Sequence, residues 1–167
     1  MKKILLIIVM LLLVSGCGKK NEEVRNNTNN DGMMVEIDGE KFKLRSSSSL
    51  KDMHYKENYV DFYSNAIGNV RTMSYTKNGE FKFEVRLMYE DKHSFDEVKE
   101  MVSHPSSLKQ YGDITYTYFD YKGDNNEDIH LYLYSYNDVT YTIMFIAKTN
   151  ISDLENKFMN SIKFGEI

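Results

Sequence analysis

Few residues of this chain are of the types that carry nucleophilic, acid–base or metal chemistry. The sequence contains one cysteine, Cys17, and four histidines: His54, His93, His104 and His130. No two histidines are four residues apart, and no HExxH or CxxC spacing occurs, so a zinc site has no support. A GxSxG nucleophile elbow is missing as well. We therefore interpret the histidines as solvated side chains.

Oxygen ligands are concentrated in the segment GDNNED, residues 123–128. Asp124, Asn126 and Asp128 make it a weak calcium candidate, because carboxylate and amide oxygens are the ligands that Ca²⁺ takes. The segment lacks the spacing and the distant glutamate of a calcium-binding loop. The favoured alternative is a solvated hairpin loop, and we predict no metal or other cofactor.

Tyrosine is the anomaly of the composition, with 13 tyrosines and no tryptophan. Five of them alternate along two predicted strands and form a candidate binding face: Tyr116, Tyr118, Tyr132, Tyr134 and Tyr136. Such a face could bind a glycan or a protein by stacking and hydrogen bonding. It could also be an aromatic layer on which a helix packs, and we favour this second interpretation because the same strands carry apolar residues between the tyrosines.

The position of Cys17 suggests a role other than thiol chemistry. Residues 1–16 begin with lysines, continue with an apolar run and end in small residues, which is the organisation of a signal peptide. The run is shorter than the roughly 20 residues that span a bilayer. Val14, Ser15, Gly16 and Cys17 resemble the lipobox of bacterial lipoproteins, whose cysteine receives a diacylglyceryl group and becomes the N-terminus after cleavage. The alternative, an ordinary signal peptide, is less favoured because Cys17 has no possible disulfide partner in the chain.

The resemblance implies an extracytoplasmic protein that acyl chains attach to a bacterial cell membrane. Residues 17–32 are polar and rich in Asn, so we predict a lipidated, disordered tether, with a root-mean-square span of about 20 Å. Residues 33–167 are predicted to form one domain. The formal charge is −4, and −6 without residues 1–16. This acidic balance argues against nucleic-acid binding, which needs a basic surface.

Turn dipeptides and alternating side chains predict several β-hairpins in the domain. Asp38-Gly39 predicts an N-terminal hairpin in which Ile37 faces Glu40 and Val35 faces Phe42. Further hairpins are predicted at Asn78-Gly79 and Asn137-Asp138.

Other segments are assigned from local spacing. The polar segment 45–58 is interpreted as an irregular loop, and 139–148 as a central strand covered on both faces. Ser94 and Ser152, each followed by glutamate three residues later, predict two helices with capping boxes, and residues 162–164 predict a last short strand.

Strands joined by hairpins, with two helices between them, predict an α+β class: an antiparallel β-sheet with helices packed on it. The aromatic strand Val139–Ala147, the helix after Ser152 and the ending F-M-N-S-I-K-F resemble the PsbP/Mog1-like fold, over roughly residues 59–164. The resemblance implies an accessory or binding protein and carries over no functional residue.

Two hypotheses follow for function. The first is a non-enzymatic, membrane-anchored surface lipoprotein that binds an unknown protein or glycan partner. The second is an envelope hydrolase whose site is assembled only in the fold, for instance from His130 and the acidic loop near it, residues 123–128. A histidine that is hydrogen-bonded to a carboxylate in a deep polar cleft would favour the enzyme.

Overall fold

The structure, a computed structural model, describes residues 32–165 of the chain. Within this range it contains twelve strands and two helices. The strands are β1 (Met33–Ile37), β2 (Glu40–Leu44), β3 (Ser46–Leu50), β4 (Met53–Glu57), β5 (Tyr63–Ile67), β6 (Val70–Lys77), β7 (Glu80–Glu90), β8 (Ser106–Tyr111), β9 (Ile114–Lys122), β10 (Asp128–Tyr136), β11 (Val139–Ala147) and β12 (Lys163–Phe164). The helices are α1 (Phe95–Met101), before β8, and α2 (Ser152–Ser161), before β12.

The largest sheet has seven strands in the order β5-β6-β7-β11-β10-β9-β8, and every neighbouring pair is antiparallel. Strand β11 lies in the middle and is buried along almost its whole length, which confirms the predicted central strand. Its consecutive apolar side chains point alternately to the two faces, so both faces of the sheet must be covered. Strand β8, by contrast, is an edge strand and is mostly exposed.

The predicted hairpin turns form as expected. Both Asp38 and Gly39 have positive φ, and so do both Asn137 and Asp138, as a tight two-residue hairpin turn requires. In the first hairpin Val35 pairs with Phe42, so the predicted register is confirmed. The Asn78-Gly79 turn likewise joins β6 to β7. Local turn chemistry was sufficient for these elements because the two strands adjoin in sequence.

The predicted loop over residues 45–58 is wrong, because β3 and β4 form a hairpin there. Lys51 adopts a positive φ of 54° at the turn. Leu50, Met53 and Tyr55 are buried, so a few apolar side chains fix the position of a strand pair made largely of serine. The predicted last strand is confirmed as β12, which pairs with β4 and completes a three-stranded sheet.

The two helices begin differently. At α1 the predicted capping box is confirmed, since the Ser94 side chain accepts from the Glu97 backbone and Glu97 accepts from the Ser94 backbone. At α2 the predicted capping box is wrong. The N-cap residue is Ile151, without a side-chain cap, and the Ser152 hydroxyl donates to Asn150. The side chain of Glu155, which the box would have used, lies in the interior.

The core lies mainly on one face of the seven-stranded sheet. There, Leu154 and Phe158 of α2, the β1–β2 hairpin and the β3–β4 hairpin cover the large apolar side chains of the central strands. Phe145 of β11 meets Phe158 edge-on, with ring centroids 5.8 Å apart. The other face carries a smaller cluster around Phe119 and Leu131, against which α1 packs.

The shares of strand and helix in the structure correct the predicted fold class. Of the described residues, 59% are in strands and 13% in helices. The molecule is mainly β, with antiparallel sheets, and much of the cover on its large sheet comes from β-hairpins. The predicted α+β class, a PsbP/Mog1-like antiparallel sheet with helices packed on it, is therefore wrong, whereas the N-terminal β-hairpin predicted beside it is confirmed.

Candidate functional site

Three neighbouring strands at one end of the large sheet place ionisable side chains on the core-facing side. Tyr118 of β9 is paired with Tyr132 of β10, and Asp120 with His130, so these four residues share one face. Lys109 lies on the adjoining edge strand β8 and reaches across the same face to the Tyr132 hydroxyl, at 2.9 Å. The antiparallel register thus brings residues up to 23 positions apart into one cluster.

Helix α2 adds a carboxylate to this cluster. Glu155 is only 5% exposed. One of its oxygens, Oε2, lies 2.7 Å from Nδ1 of His130. The other, Oε1, accepts a hydrogen bond from the Tyr132 hydroxyl and lies 3.5 Å from Nζ of Lys109. Because an ionised carboxylate only accepts, Nδ1 is assigned as the protonated nitrogen of His130.

The environment fixes the charges of these groups. Burial raises the pKa of the Glu155 carboxyl, but hydrogen bonds from His130 and Tyr132 and the charges of His130 and Lys109 outweigh it, so the net pKa lies below 4.5. The hydrogen bond to Glu155 raises the pKa of His130 above 6.5, although burial opposes it. Burial and then the hydrogen bond to Glu155 raise the pKa of Tyr132 far above 10. At neutral pH the site therefore holds an anionic glutamate and a protonated tyrosine.

Three aromatic rings surround the Lys109 ammonium, and we call them the tyrosine cage: Tyr111, Tyr118 and Tyr132. Nζ of Lys109 lies 5.5, 4.5 and 5.4 Å from their respective ring centroids. All three distances are within the roughly 6 Å over which a cation is attracted to a ring face. The hydroxyls of Tyr111 and Tyr132 are 3.1 Å apart and link two walls of the cage. This arrangement is suited to holding a cation.

The cluster also contains part of a catalytic arrangement. A histidine that a carboxylate orients through Nδ1 is the base-and-orienter pair of many hydrolases. The other nitrogen of His130, Nε2, lies 3.8 Å from Asp120 Oδ1. Among the described residues, however, no serine, threonine or cysteine is hydrogen-bonded to His130. The prediction that His130 is merely solvated is wrong, because its ring is half-buried and hydrogen-bonded to Glu155.

The predicted tyrosine face is only partly open. Tyr116 and Tyr132 are fully buried, and the Tyr116 hydroxyl has no hydrogen-bond partner among the described residues. Tyr118 is half-buried in the cage, while Tyr134 and Tyr136 pack on Phe164 of β12. The favoured interpretation as a core layer therefore describes Tyr116 and Tyr132, whereas the other three rings are partly exposed.

Two of the three weak calcium candidates, Asp128 and Asn126, have contacts with other residues of the protein. Asp128 forms an ion pair with Lys122 at 2.6 Å. Asn126 takes a positive φ of 62° at the turn, and its backbone donates to the Gly123 carbonyl. No group of three or more histidine, cysteine or acidic side chains in the described range could hold a metal ion. Asp124 lies in the same turn.

Each of the other three histidines contacts a residue outside the His130 cluster. His54 contacts the Gly165 carbonyl at 2.8 Å, and His93 lies 3.5 Å from Glu90. His104 stacks on Tyr121, with ring centroids 4.0 Å apart.

A second buried carboxylate, Glu57 of β4, is held differently. It is 6% exposed and accepts hydrogen bonds from the hydroxyls of Ser48 and Tyr59. Burial, followed by the hydrogen bond to Glu57, raises the pKa of Tyr59 to about 12. The hollow beside Glu57 has a volume of only about 10 Å³, so it has room for little more than one water molecule.

A larger hollow of about 440 Å³ lies beside α1 and the start of β8, away from the His130 cluster. Its lining includes Lys99, Glu100, His104 and Phe119. The histidine of this lining is His104. The His130–Glu155 pair, which resembles part of a catalytic site, does not line this hollow.

The predicted lipid-anchor residues Val14, Ser15, Gly16 and Cys17 lie outside the described residues. Between residues 32 and 165, no helix is long and apolar enough to cross a membrane.

Sequence reasoning missed two charged residues of the cluster, Lys109 and Glu155. A signal for Glu155 existed: it falls on the apolar stripe of α2, at the helical spacing of Ile151, Phe158 and Ile162. A charged residue on a buried stripe requires a partner. Lys109 gave no such signal, because it lies on an exposed edge strand.

Comparison with known proteins indicates the fold alone. No protein-family model matches the chain, and no curated protein matches it. A crystal structure from Bacteroides thetaiotaomicron VPI-5482 is similar, with a TM-score of 0.50 and 12% sequence identity. The match covers 71% of this chain and 47% of that chain, so this chain spans about half the length of the protein that it matches.

Proposed function

We propose that this chain is a lipid-anchored bacterial surface protein whose folded domain binds a partner and does not catalyse a reaction. The anchor rests on the V-S-G-C tetrapeptide, residues 14–17, which follows a charged start and an apolar run. Two or three acyl chains on one cysteine would give stable attachment. A polar tether of about 15 residues would then hold the domain close to the membrane surface.

The observation that carries the binding function is the state of the His130–Glu155 pair. Both oxygens of Glu155 are engaged, one by His130 and one by Tyr132 and Lys109. The pair therefore serves a cation-holding cluster, and a hydroxyl nucleophile on His130 is missing from the described contacts. Tyrosine, with a rigid ring and one polar group, is a residue type that protein binding sites favour.

The anchor is tested by membrane fractionation of cells that express the wild-type chain or Cys17→Ala. We expect the wild type in the membrane fraction, labelled by a palmitate analogue, and Cys17→Ala in the soluble fraction without label. Ser15→Ala is the matched control, because alanine keeps the residue small, and it should remain in the membrane. Retention of Cys17→Ala in the membrane, or its failure to fold, would show that Cys17 is not the anchor.

The hydrolase remains the second candidate because His130 is hydrogen-bonded to a carboxylate. The two functions differ in what they predict for His130→Gln. A hydrolase would lose its activity on envelope esters or amides, whereas a binding domain has no such activity to lose. An activity of the wild-type chain that His130→Gln abolishes would replace the binding proposal.

A further inference from the structure

The Lys109 ammonium occupies a site that has the chemistry of an ammonium receptor. Three ring faces lie 4.5–5.5 Å from it. The Tyr132 hydroxyl accepts from it at 2.9 Å, and the Glu155 carboxylate lies at 3.5 Å. Ring faces and a carboxylate both attract positive charge, and together they are the means by which proteins recognise amine ligands.

The site needs a cation for its own stability. Glu155 is 5% exposed and anionic at neutral pH, and a buried charge is costly unless it is paired. His130 meets one carboxylate oxygen and is charged only below its own pKa. The other oxygen faces the cage, where the ammonium supplies the permanent positive charge.

The Lys109 ammonium can move out of the tyrosine cage. It lies on β8, an edge strand, and its side chain is 37% exposed, whereas Glu155 and Tyr132 are buried. Its neighbour Leu108 is 74% exposed, so little of the protein covers this strand. A lysine stem has four rotatable carbons. The ammonium can therefore move into solvent while the backbone pairing of β8 with β9 is kept.

We propose that the tyrosine cage and Glu155 form a binding site for a primary ammonium group, which Lys109 occupies in the free protein and releases to the ligand. The ligand is a primary amine because the Tyr132 hydroxyl and Glu155 accept hydrogen bonds, and a quaternary ammonium has no N–H to donate. A small free amine and an ethanolamine headgroup share this chemistry. The proposal rests on the proposed binding function, for which it names the ligand class.

The test is a titration of the full chain in detergent micelles, carrying ¹³C-labelled tyrosine, with n-butylammonium, glycerophosphoethanolamine and tetramethylammonium. We expect saturable shifts of the cage tyrosines with one or both primary amines and none with tetramethylammonium. Butylammonium binding alone would identify free amines as the ligand, and binding of both would include the headgroup. The result does not depend on where the protein is located, so it is separate from the Cys17→Ala fractionation.

Three variants test whether the Lys109 ammonium and the ligand compete for the tyrosine cage. Lys109→Ala empties the cage and should bind butylammonium at least about tenfold more tightly, since the ligand no longer competes with the lysine. Adding Tyr118→Leu to Lys109→Ala should weaken binding roughly threefold or more. Lys122→Ala, which removes an exposed lysine of β9 that pairs with Asp128, is the matched control and should bind like the wild type.

Two outcomes would overturn the proposal. If Lys109→Ala binds amines and the wild type does not, the lysine is a permanent structural part of the cage. If the wild type gives no saturable shifts, or gives them equally with tetramethylammonium, the site does not recognise primary ammonium. The wild-type titration decides the question even if Lys109→Ala fails to fold.

Discussion

Glu155 shows how one residue can organise a site that its local sequence conceals. Its spacing from Ser152 predicted a capping box, yet its side chain turns inward and accepts from His130, 25 positions away. A capping box is worth only about 1 kcal/mol, whereas a buried, unpaired carboxylate costs several. The long-range hydrogen bonds therefore determine where this side chain lies. Local sequence spacing does not predict such hydrogen bonds.

The His130–Glu155 pair predicts a pH-dependent contribution to stability. The pKa of His130 is raised above 6.5, so its contribution is complete below that pH and is lost as pH rises through the folded value. The pKa of Glu155 is lowered below 4.5, so its contribution is present above that pH and is lost as pH falls through the folded value. Both contributions overlap between roughly pH 4.5 and 6.5.

We therefore expect His130→Gln to lower the free energy of unfolding by about 1–2 kcal/mol within this window, a modest loss because the imidazole is partly exposed to solvent. Above the window the loss should be smaller, because His130 loses its charge there. Urea unfolding at a series of pH values measures the difference. His93→Gln, at an exposed histidine before α1, is the matched control. A His130→Gln difference that is constant with pH would contradict the charged pair.

The two helices separate what local spacing can predict from what it cannot. Each has a serine at its start with a glutamate three residues later, but only α1 uses this pair as a cap. Helix α1 is exposed on its outer side, so the cap residues have no competing partner. In α2 the glutamate lies on the buried stripe, and packing decides its role.

This difference predicts unequal effects of two similar substitutions. Ser94→Ala removes a side-chain cap and should destabilise the protein by about 1 kcal/mol. Ser152→Ala removes only an exposed hydrogen bond to Asn150 and should stay within about 0.5 kcal/mol of the wild type. Urea midpoints at constant m-value compare the two. Equal losses would mean that Ser152 also caps its helix.

Among the strands, hairpins with a strong turn dipeptide were predictable and the serine-rich one was not. Asp38-Gly39 and Asn78-Gly79 place residues suited to positive φ between alternating strands. Strand β3 has the sequence SSSSL, which carries almost no apolar pattern of its own, and its turn uses Lys51. Its partner β4 supplies the buried face with Met53 and Tyr55. The pairing therefore depends on the tertiary core.

At the scale of the whole molecule, one core connects the three sheets. Leu44 of β2, Met53 of β4, Phe145 of β11 and Phe158 of α2 belong to the same buried cluster. The small sheets therefore stabilise the large one, and the described residues should unfold as one cooperative unit.

Leu44→Ala tests this cooperativity. Leu44 is fully buried in the N-terminal hairpin, and its truncation should cost about 2–5 kcal/mol of global stability. Far-ultraviolet circular dichroism and tyrosine fluorescence should report coincident urea transitions in the wild type and in Leu44→Ala. Leu108→Ala, at an exposed leucine of β8, should change stability by about 0.5 kcal/mol or less. Separate transitions in Leu44→Ala would show that the hairpin unfolds alone.

The sequence by itself determined the features that depend on neighbouring residues: the hairpins at Asp38, Asn78 and Asn137, the buried strand β11 and the cap at Ser94. The V-S-G-C prediction also depends on neighbouring residues and stays a prediction for the fractionation to test. Only the tertiary structure decided the mainly β class, because the β3–β4 hairpin pairs through its packing and both small hairpins cover the large sheet. It also decided the candidate site, since Lys109, His130 and Glu155 meet across an edge strand, an inner strand and a helix.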